Sequence, residues 1–538
     1  MKLRDWVLLM VLEALVLAGV AMFQHSPGYM DADYYTLMGQ QLAHGTAAEP
    51  FLWNYLDDPK GVPHPGFAYW QPLAALVAAW GIRVAGHGGF AAARWPFFAL
   101  ALLVPPLTAL LAFRLTRKRA LALLSGGLAV ASGFYLPYLA VPDTFTLLMV
   151  LGALFFLVLG WPEALHLADA LHPLRAGSRL LGRRLARWQP LVLGLLTGMM
   201  HLARAEGFLW LLAAWVGLAL ARRRSLRPYL EVLLGYAVVM VSWFWRNLAA
   251  FGTPFAPGGW RTLWLTNYNE LYAYPASQLT FAHWWASGWK AIVSARLHAA
   301  GTNLTSALAV QGAVVWLPMV LAGLWRWRKD RRVRVGAGMW LLLWLLMSVV
   351  FPFSGARGGF FHAGAAVQPL LWAVAPAGLM VFLRPLARWR SWRLSEAFSV
   401  LGWGLVAAAA LLSVLVVQRR VVGPLPTEPT WDDPARAYAR YGKGLTALGV
   451  PADALVLVNN PPGFTLATGH PSLAVPDGGS DVAAAVARRY GARYWVLEAN
   501  HPRPLNHYYC HPPTVPPPWE FLGMVDRYTP AFVLGAAP

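Results

Sequence analysis

Two carboxylates lie close to the first apolar stretch of this chain. The segment "HSPGYMDADYYTLMGQQLAHG" covers residues 25–45 and carries Asp31 and Asp33 next to two tyrosines. A carboxylate can act as the general base on an acceptor hydroxyl or amine, although acids in this position can also simply cap the following helix. We predict a catalytic role for the pair, because a plain linker at a membrane boundary does not need two acids.

Further ionisable side chains are predicted to lie at the same boundary. Ionisable residues at membrane depth are costly and usually mark function. Arginine can hold and neutralise a phosphate group, with two hydrogen bonds where the geometry permits. The set therefore fits group transfer from a phosphate-linked lipid donor. The residues predicted to bind substrate or phosphate are Asp143, Arg204, Glu206, Arg246, Arg357 and His362.

These residues also have purely structural interpretations. Asp143 can cap the helix predicted over 144–160. Arg204 and Glu206 can pair only with each other, and Arg246 can anchor to lipid headgroups. Arg357 and His362 can be solvated loop residues. Convergence of these distant segments on one cavity would favour the functional interpretation.

Composition indicates the elements that must position these side chains. The 538 residues are 58% hydrophobic and only 13% charged, whereas soluble domains carry about 25% charged residues. Apolar runs of about 20 residues recur, long enough to cross a hydrocarbon core of about 30 Å. The chain is therefore predicted to be a polytopic α-helical membrane protein. Its net charge of +20 is assigned to cytoplasmic loops rather than to nucleic-acid binding.

Hydropathy predicts about eleven membrane spans plus interfacial helices. Basic clusters such as 114–119 and 384–393 are cytoplasmic only if the N-terminus lies inside and the C-terminus outside. Counting 69–86 as a span would turn the first cluster outward, so this segment is predicted to be interfacial or re-entrant. The predicted spans are 6–23, 91–113, 120–141, 143–161, 189–203, 205–221, 229–246, 306–324, 336–353, 363–383 and 397–417.

Two regions follow from this topology. Residues 1–420 form the predicted transmembrane domain, whose first outer loop is 24–90. Residues 421–538 form a predicted small extracytoplasmic α/β domain, because "DALVLVNN" (453–460) and "ARYWVLEAN" (492–500) indicate buried strands with a helix between them.

The order of motifs resembles the GT-C superfamily of membrane glycosyltransferases, in particular the branch of protein O-mannosyltransferases and lipid A aminoarabinose transferases. Each motif alone is weak, but together they follow the family's order. Tyr69 and Trp70 belong to its aromatic-Pro-Leu segment and are predicted to contact substrate. The matching segments are "MDADYYTLMGQQLAHG", "PGFAYWQPLAALVAAWG", "LPYLAVPDTFTLLMVLGALF", "LGLLTGMMHLARAEGFLWLL", "VSWFWRNLAAFGTPFAP" and "GARGGFFHAGAAVQPLLWAVAPAGL".

The resemblance implies a polyprenyl-phosphate sugar donor and an inverting, extracytoplasmic reaction. The family's base, the first acid of the first loop, falls on Asp31. The family often has Asp-Glu, whereas Ala32 follows Asp31 here, so the base assignment between Asp31 and Asp33 stays open. Metal dependence also stays open, because a divalent cation could bind such a pair.

Two other function classes compete with this interpretation. A lipid or sugar transporter, or a flippase, predicts ionisable groups in mid-span and an internal repeat, whereas the charges noted above lie at span ends. A non-catalytic scaffold predicts that both acids are dispensable. The preferred hypothesis is a glycosyltransferase of the bacterial plasma membrane, with a glycan, lipid or protein acceptor, no certain cofactor and no nucleic-acid partner.

Overall fold

The computed structural model of the protein describes residues 1–161, 176–222 and 225–535. Two further basic clusters that are predicted to be cytoplasmic, 175–187 and 222–227, therefore lie partly outside the described residues. Most of the described chain up to residue 422 is helical.

The helices of this part follow one another along the chain, with long connections over 44–72 and 252–280. They are α1 (Leu3–Ala21), α2 (Met30–Ala43), α3 (Leu73–Ala85), α4 (Phe90–Ala101), α5 (Val104–Thr116), α6 (Arg119–Val130), α7 (Thr144–Leu159), α8 (Ala176–Ala203), α9 (Leu209–Leu220), α10 (Arg227–Phe251), α11 (Phe281–Ala286), α12 (Trp289–Ser306), α13 (Leu317–Arg326), α14 (Arg331–Leu345), α15 (Pro352–Ser354), α16 (Phe360–Gly364), α17 (Gln368–Trp389) and α18 (Leu394–Val417).

Five helical stretches among the described residues are long and apolar enough to cross a membrane. This agrees with the predicted membrane class, whereas the count of eleven stays a prediction. Helix α3 has 13 residues, about 20 Å at 1.5 Å per residue, which is short for a span. The five stretches are Phe90–Thr116, Arg227–Phe251, Arg331–Val350, Gln368–Trp389 and Leu394–Val422.

Close helix packing accounts for the dense core of this bundle. Helix α17 is apolar on most of its surface and packs against α13. A Cβ atom at Gly378 would lie only 1.8 Å from the Met319 carbonyl oxygen. Small residues let membrane helices approach in this way, so the glycine is required by the α13–α17 contact.

One buried acid departs from the sequence-based picture of charges at span ends. Glu13 lies in the middle of α1 and is fully buried, with 0% exposure. Neither of its carboxyl oxygens has a hydrogen-bond partner among the described residues. The helix predicted to be the first span therefore carries a buried ionisable group near its middle, which the sequence analysis does not single out.

The C-terminal segment (423–535) contains most of a six-stranded sheet. Its helices are α19 (Asp433–Ala447), α20 (Pro461–Thr468), α21 (Ser480–Tyr490) and α22 (Asn506–Cys510). The strands are β1 (Ala48–Glu49), β2 (Phe51–Leu52) and β3 (His64–Pro65) in the first loop, then β4 (Val456–Val458), β5 (Ser472–Ala474), β6 (Tyr494–Val496), β7 (Trp519–Met524) and β8 (Pro530–Leu534).

The sheet joins the two ends of the chain. Its strand order is β2-β5-β4-β6-β8-β7, with β2 contributed by the first loop and paired parallel to β5. A β1–β3 hairpin-like pair lies in the same loop. Edge strands are commonly covered by another segment, and β2 covers the edge of β5. The C-terminal segment is thereby joined directly to the loop that carries the acidic motif.

Candidate active site

Helix α2 points its two acids in different directions. Its N-cap is Tyr29, whose backbone is extended at φ −160°, so neither Asp31 nor Asp33 is the capping residue. Residues two apart on a helix do not face each other. The Asp31 side chain is 29% exposed, whereas Asp33 is 5% exposed. Only Asp31 is open to a ligand.

Asp31 belongs to a compact cluster with Asp143 and His362. Asp31 Oδ2 lies 3.6 Å from His362 Nε2, and Asp143 Oδ1 lies 3.8 Å from His362 Nδ1. One ligand atom of each residue lies within 4.8 Å of the others. Three segments far apart in sequence thus converge, as the functional interpretation predicts.

Asp143 is both a helix cap and a member of this cluster. Its Oδ1 accepts a hydrogen bond of 2.5 Å from the Thr144 backbone N–H at the start of α7. The Tyr29 hydroxyl donates to Oδ2. The side chain is only 1% exposed. These hydrogen bonds therefore fix the orientation of the buried Asp143 side chain within the cluster.

The His362 ring is held by packing. It stacks on the Phe145 ring at a centroid distance of 4.0 Å and an interplanar angle of 23°. The Thr144 hydroxyl lies 3.4 Å from Nδ1. Residues 144 and 145 open α7, so one helix start positions both the imidazole and the carboxylate beside it.

Arg204 and Glu206 form the predicted ion pair, and the arginine also acts on Asp31. The Arg204 Nε and Glu206 Oε1 atoms are 2.5 Å apart, at the break between α8 and α9. Burial raises the pKa of Asp31, while the Arg204 guanidinium and a hydrogen bond from Trp70 oppose this increase. Besides its ion pair with Glu206, the Arg204 guanidinium thus favours the ionised form of Asp31.

Arg357 is exposed beside the cluster. Its guanidinium lies over the Tyr268 ring at 4.5 Å from the centroid. Burial raises the pKa of Tyr268, the Asp31 carboxylate raises it further and Arg357 opposes the increase. Tyr268 is therefore close enough to both Arg357 and Asp31 for their charges to affect its pKa.

Tyr69 and Trp70 form part of an aromatic wall. Trp70 stacks on Tyr34 at 4.1 Å, and both Tyr69 and Trp70 pack against Trp53, at 4.5 Å and 4.4 Å. Trp70 also forms a side-chain hydrogen bond with Asp31. The aromatic wall therefore borders the cluster of Asp31, Asp143 and His362.

Arg246 is directed elsewhere. It donates a hydrogen bond of 2.6 Å to the Gly66 carbonyl and lies over the rings of Trp243 and Phe251 at 5.2 Å and 5.0 Å. Among the described residues, no contact joins it to Asp31. Its observed role is to tie α10 to the first loop.

Asp33 faces the C-terminal segment. The Asn460 side-chain amide donates a hydrogen bond of 3.1 Å to Asp33 Oδ2. Burial raises the pKa of Asp33 to about 7, although this hydrogen bond opposes the increase. The contact connects α2 to the start of α20.

Some residues of the site were missed from the sequence. Tyr29 and Tyr268 carry no motif that marks them, although Tyr29 stands two residues before Asp31. Asp432 accepts hydrogen bonds from the backbone N–H groups of His25 and Ser26, at 3.1 Å and 2.9 Å. It therefore fixes the chain leading into α2. A single sequence carries no signal that links residues that lie 407 and 406 positions apart.

A second charged cluster lies in the first loop. His64 Nε2 is 2.9 Å from Asp57 Oδ2, and His64 Nδ1 is 3.7 Å from Glu49 Oε2. Burial alone would lower the pKa of His64, but Asp57 and Glu49 raise it to about 9. The imidazolium therefore binds two acids of this loop together.

No protein-family model matches the chain, and no curated protein matches it. Solved structures do. The apo oligosaccharyltransferase of Archaeoglobus fulgidus is 12% identical, with a TM-score of 0.56 over 92% of this chain and 70% of that one. ArnT from Cupriavidus metallidurans bound to undecaprenyl phosphate is 14% identical, with a TM-score of 0.54 over 100% of both chains. The chain has the GT-C fold.

The predicted family resemblance is thus confirmed at the level of the fold. Another structure of the archaeal oligosaccharyltransferase contains an inhibitory peptide and a dolichol-phosphate, with a TM-score of 0.51. A further one is a complex with Zn and sulfate. Among the described residues of the present chain, Asp31, Asp143 and His362 form a group that could hold a cation.

Proposed function

We propose that this protein is a membrane glycosyltransferase that transfers a sugar from a polyprenyl-phosphate donor to an acceptor outside the cytoplasm. The observation that carries the proposal is the partly exposed Asp31 carboxylate beside His362 and Asp143, with arginines nearby. The likeness to ArnT with undecaprenyl phosphate supports the donor class. The site would belong to the outer face of a bacterial plasma membrane.

Asp31 is proposed as the general base. Of the two carboxylates in the cluster, Asp31 is the one that an acceptor can reach, because Asp143 is buried and already accepts hydrogen bonds from Tyr29 and Thr144. The Asp31 carboxylate takes the proton from the acceptor hydroxyl or amine. The acceptor atom then forms a bond to the anomeric carbon from the face opposite the leaving group, so the configuration inverts. The bond from that carbon to the phosphate oxygen breaks, and polyprenyl phosphate leaves.

Arg357 and Arg204 are proposed to act on the phosphate. Arg357 is exposed and, among the described residues, its guanidinium contacts the Tyr268 ring without an ion-pair partner, so it can pair with the departing phosphate oxygens. Arg204 stays paired with Glu206 and acts through its field. Arg246 is less suited to this role, because its guanidinium already donates a hydrogen bond to the Gly66 carbonyl in the first loop.

A divalent cation fits between Asp31, Asp143 and His362. One ligand atom of each residue lies within 4.8 Å of the others, and two carboxylates with one imidazole suit Mn²⁺ or Zn²⁺. When bound, the cation would supply positive charge for the phosphate. His362 and Asp143 are positioned for this by α7, independently of substrate.

The test is transfer of radiolabelled sugar from polyprenyl-phosphate donors in membranes that contain the wild type, Asp31→Asn or Asp33→Asn. Loss of a general base lowers the rate by about 10²- to 10⁴-fold, and we expect this for Asp31→Asn only. Asp33→Asn is the matched control, because it makes the same change two residues away on the buried side of α2. Equal transfer by all three proteins would contradict the assignment of the base. Transfer by none would contradict the proposed donor class.

A further inference from the structure

A cavity of about 490 Å³ lies at the turn between α17 and α18. Small-molecule sites commonly measure about 300–1,000 Å³, so the cavity is large enough for a ligand. It shares no residue with the candidate active site. Its lining residues are Arg384, Ala387, Arg388, Ser391, Trp392 and Leu394.

The cavity must lie at a membrane surface. Helices α17 and α18 belong to two of the five stretches that can cross a membrane, and the short turn between them holds the cavity. Trp389 and Trp392 are exposed beside it, which is typical of the membrane–water interface. The position follows from the two flanking helices, whichever face of the membrane carries the turn.

The positive charge of the cavity has no acidic partner among the described residues. Arg384 and Arg388 are one helical turn apart, so they lie on the same face of α17. Both are exposed, and neither has an ion-pair or side-chain hydrogen-bond partner among the described residues. Glu396, the acid close by in sequence, is paired with Arg393 at 3.1 Å. Two arginines are thus free to bind an anion.

We propose that this cavity binds the phosphodiester headgroup of an anionic phospholipid. Arginine fits phosphate oxygens with two hydrogen bonds, and basic pockets between membrane helices at the cytoplasmic side bind anionic headgroups. The lipid chains would lie along the apolar surface of α17, where Val381 and Phe382 are exposed. The basic cluster 384–393 is predicted to be cytoplasmic, so the lipid belongs to the inner leaflet. This site is separate from the proposed sugar transfer.

The test is lipid binding by the delipidated full-length protein in detergent, measured by native mass spectrometry. The probes are phosphatidylglycerol, phosphatidylcholine and inorganic phosphate, and the variant is Arg384→Gln with Arg388→Gln. The matched control is Lys329→Gln with Arg334→Gln, which removes the same charge from exposed residues near the α13–α14 turn. Each charge-assisted hydrogen bond to phosphate contributes enough that its loss weakens binding by about tenfold or more.

We expect the wild type and the control to bind phosphatidylglycerol more tightly than phosphatidylcholine, and the double variant to lose this preference. Phosphatidylglycerol should also raise the melting temperature of the wild type more than phosphatidylcholine does, which tests the site without any variant. Equal binding of both lipids by the wild type would overturn the proposal. So would an unchanged preference in the double variant, or displacement of the lipid by an equal concentration of inorganic phosphate.

Discussion

The Asn460 side-chain amide donates a hydrogen bond of 3.1 Å to Asp33, although the two residues are 427 positions apart. Asp33 stands two residues after Asp31 on α2, so the C-terminal segment touches the helix that carries the proposed base. Asp432 holds the chain just before the same helix. Two contacts from the C-terminal segment therefore fix both the entry and the first turn of α2.

The first prediction concerns the Asn460–Asp33 contact. Asn460→Ala leaves a buried carboxylate without its donor, which costs about 1–3 kcal/mol. Burial raises the pKa of Asp33 to about 7, so the acid is ionised only above that pH. We expect Asn460→Ala to lower the melting temperature strongly at pH 8 and much less at pH 5, measured by thermal unfolding in detergent.

Two controls separate this effect from the loss of a helix cap. Asn460 Oδ1 also accepts a bond of 3.3 Å from the Gly463 N–H at the start of α20. Asn460→Ser keeps a capping oxygen but shortens the side chain, so it should show the same pH dependence. Adding Asp33→Asn to Asn460→Ala should restore stability at pH 8. An equal loss of stability at both pH values would contradict the prediction.

The second prediction concerns a divalent cation at Asp31, Asp143 and His362. We expect chelation to lower sugar transfer by the purified protein and added Mn²⁺ to restore it. His362→Ala should need a higher Mn²⁺ concentration for the same rate, because one of the three possible ligands is missing. His283→Ala is the control, since His283 pairs with Glu270 at 2.9 Å outside the cluster. Full activity of the wild type in the presence of a chelator would contradict the prediction.

The sequence predicts the residues of the candidate active site better than it predicts the residues that hold them in place. Ionisable residues at membrane depth usually mark function. On this ground, the sequence analysis predicts functional roles for Asp31, Asp143, Arg204 and His362. The structure brings them together. The opposite directions of Asp31 and Asp33 follow in principle from helix geometry, but which of them faces Asp143 and His362 depends on how α2 packs.

Partners from distant segments could not be predicted in this way. Asn460 and Asp432 lie in ordinary turn and helix-start positions, and nothing local marks them as neighbours of α2. Strand β2 has only two residues, too few for a period-two pattern. Arg246 was grouped with the phosphate ligands because of its place at a span end, yet its contact with the Gly66 carbonyl depends on the fold of the first loop.

The third prediction uses the pH dependence of the His64 cluster. Asp57 and Glu49 raise the pKa of His64 to about 9, above the ordinary value of about 6.5. The imidazolium therefore stabilises the fold fully below about pH 6.5, and this contribution is lost as the pH rises through about 9. We expect His64→Gln to melt at a lower temperature than the wild type at pH 7, and the difference to vanish above pH 9.

The control for this prediction is His44→Gln, because His44 is exposed and bonds only to the Gln40 carbonyl. It should not change the melting temperature at either pH. A difference between His64→Gln and the wild type that persists unchanged above pH 9 would show that packing, rather than charge, accounts for the effect of His64.

The last prediction separates Arg357 from other arginines that lie on aromatic rings. Arg357 is exposed over Tyr268, and both Arg357 and Asp31 affect the pKa of Tyr268, which supports the proposed contact between Arg357 and a phosphate that leaves beside Asp31. We expect Arg357→Ala to lower kcat/KM for the polyprenyl-phosphate sugar by about tenfold or more, because a charge-assisted hydrogen bond is lost. Arg357→Lys should recover part of it, since lysine keeps the charge but not the two-pronged geometry.

Arg296 offers the matched control, because its guanidinium lies over Trp284 at 5.2 Å in a comparable contact between an arginine and an aromatic ring. If Arg357 only stabilised its own segment, Arg357→Ala and Arg296→Ala would change the melting temperature alike and leave the donor dependence alone. A phosphate contact instead predicts a change in kcat/KM for the donor at an unchanged melting temperature, and only for Arg357→Ala. Steady-state transfer at varied donor concentration, with melting curves of the same preparations, distinguishes the two cases.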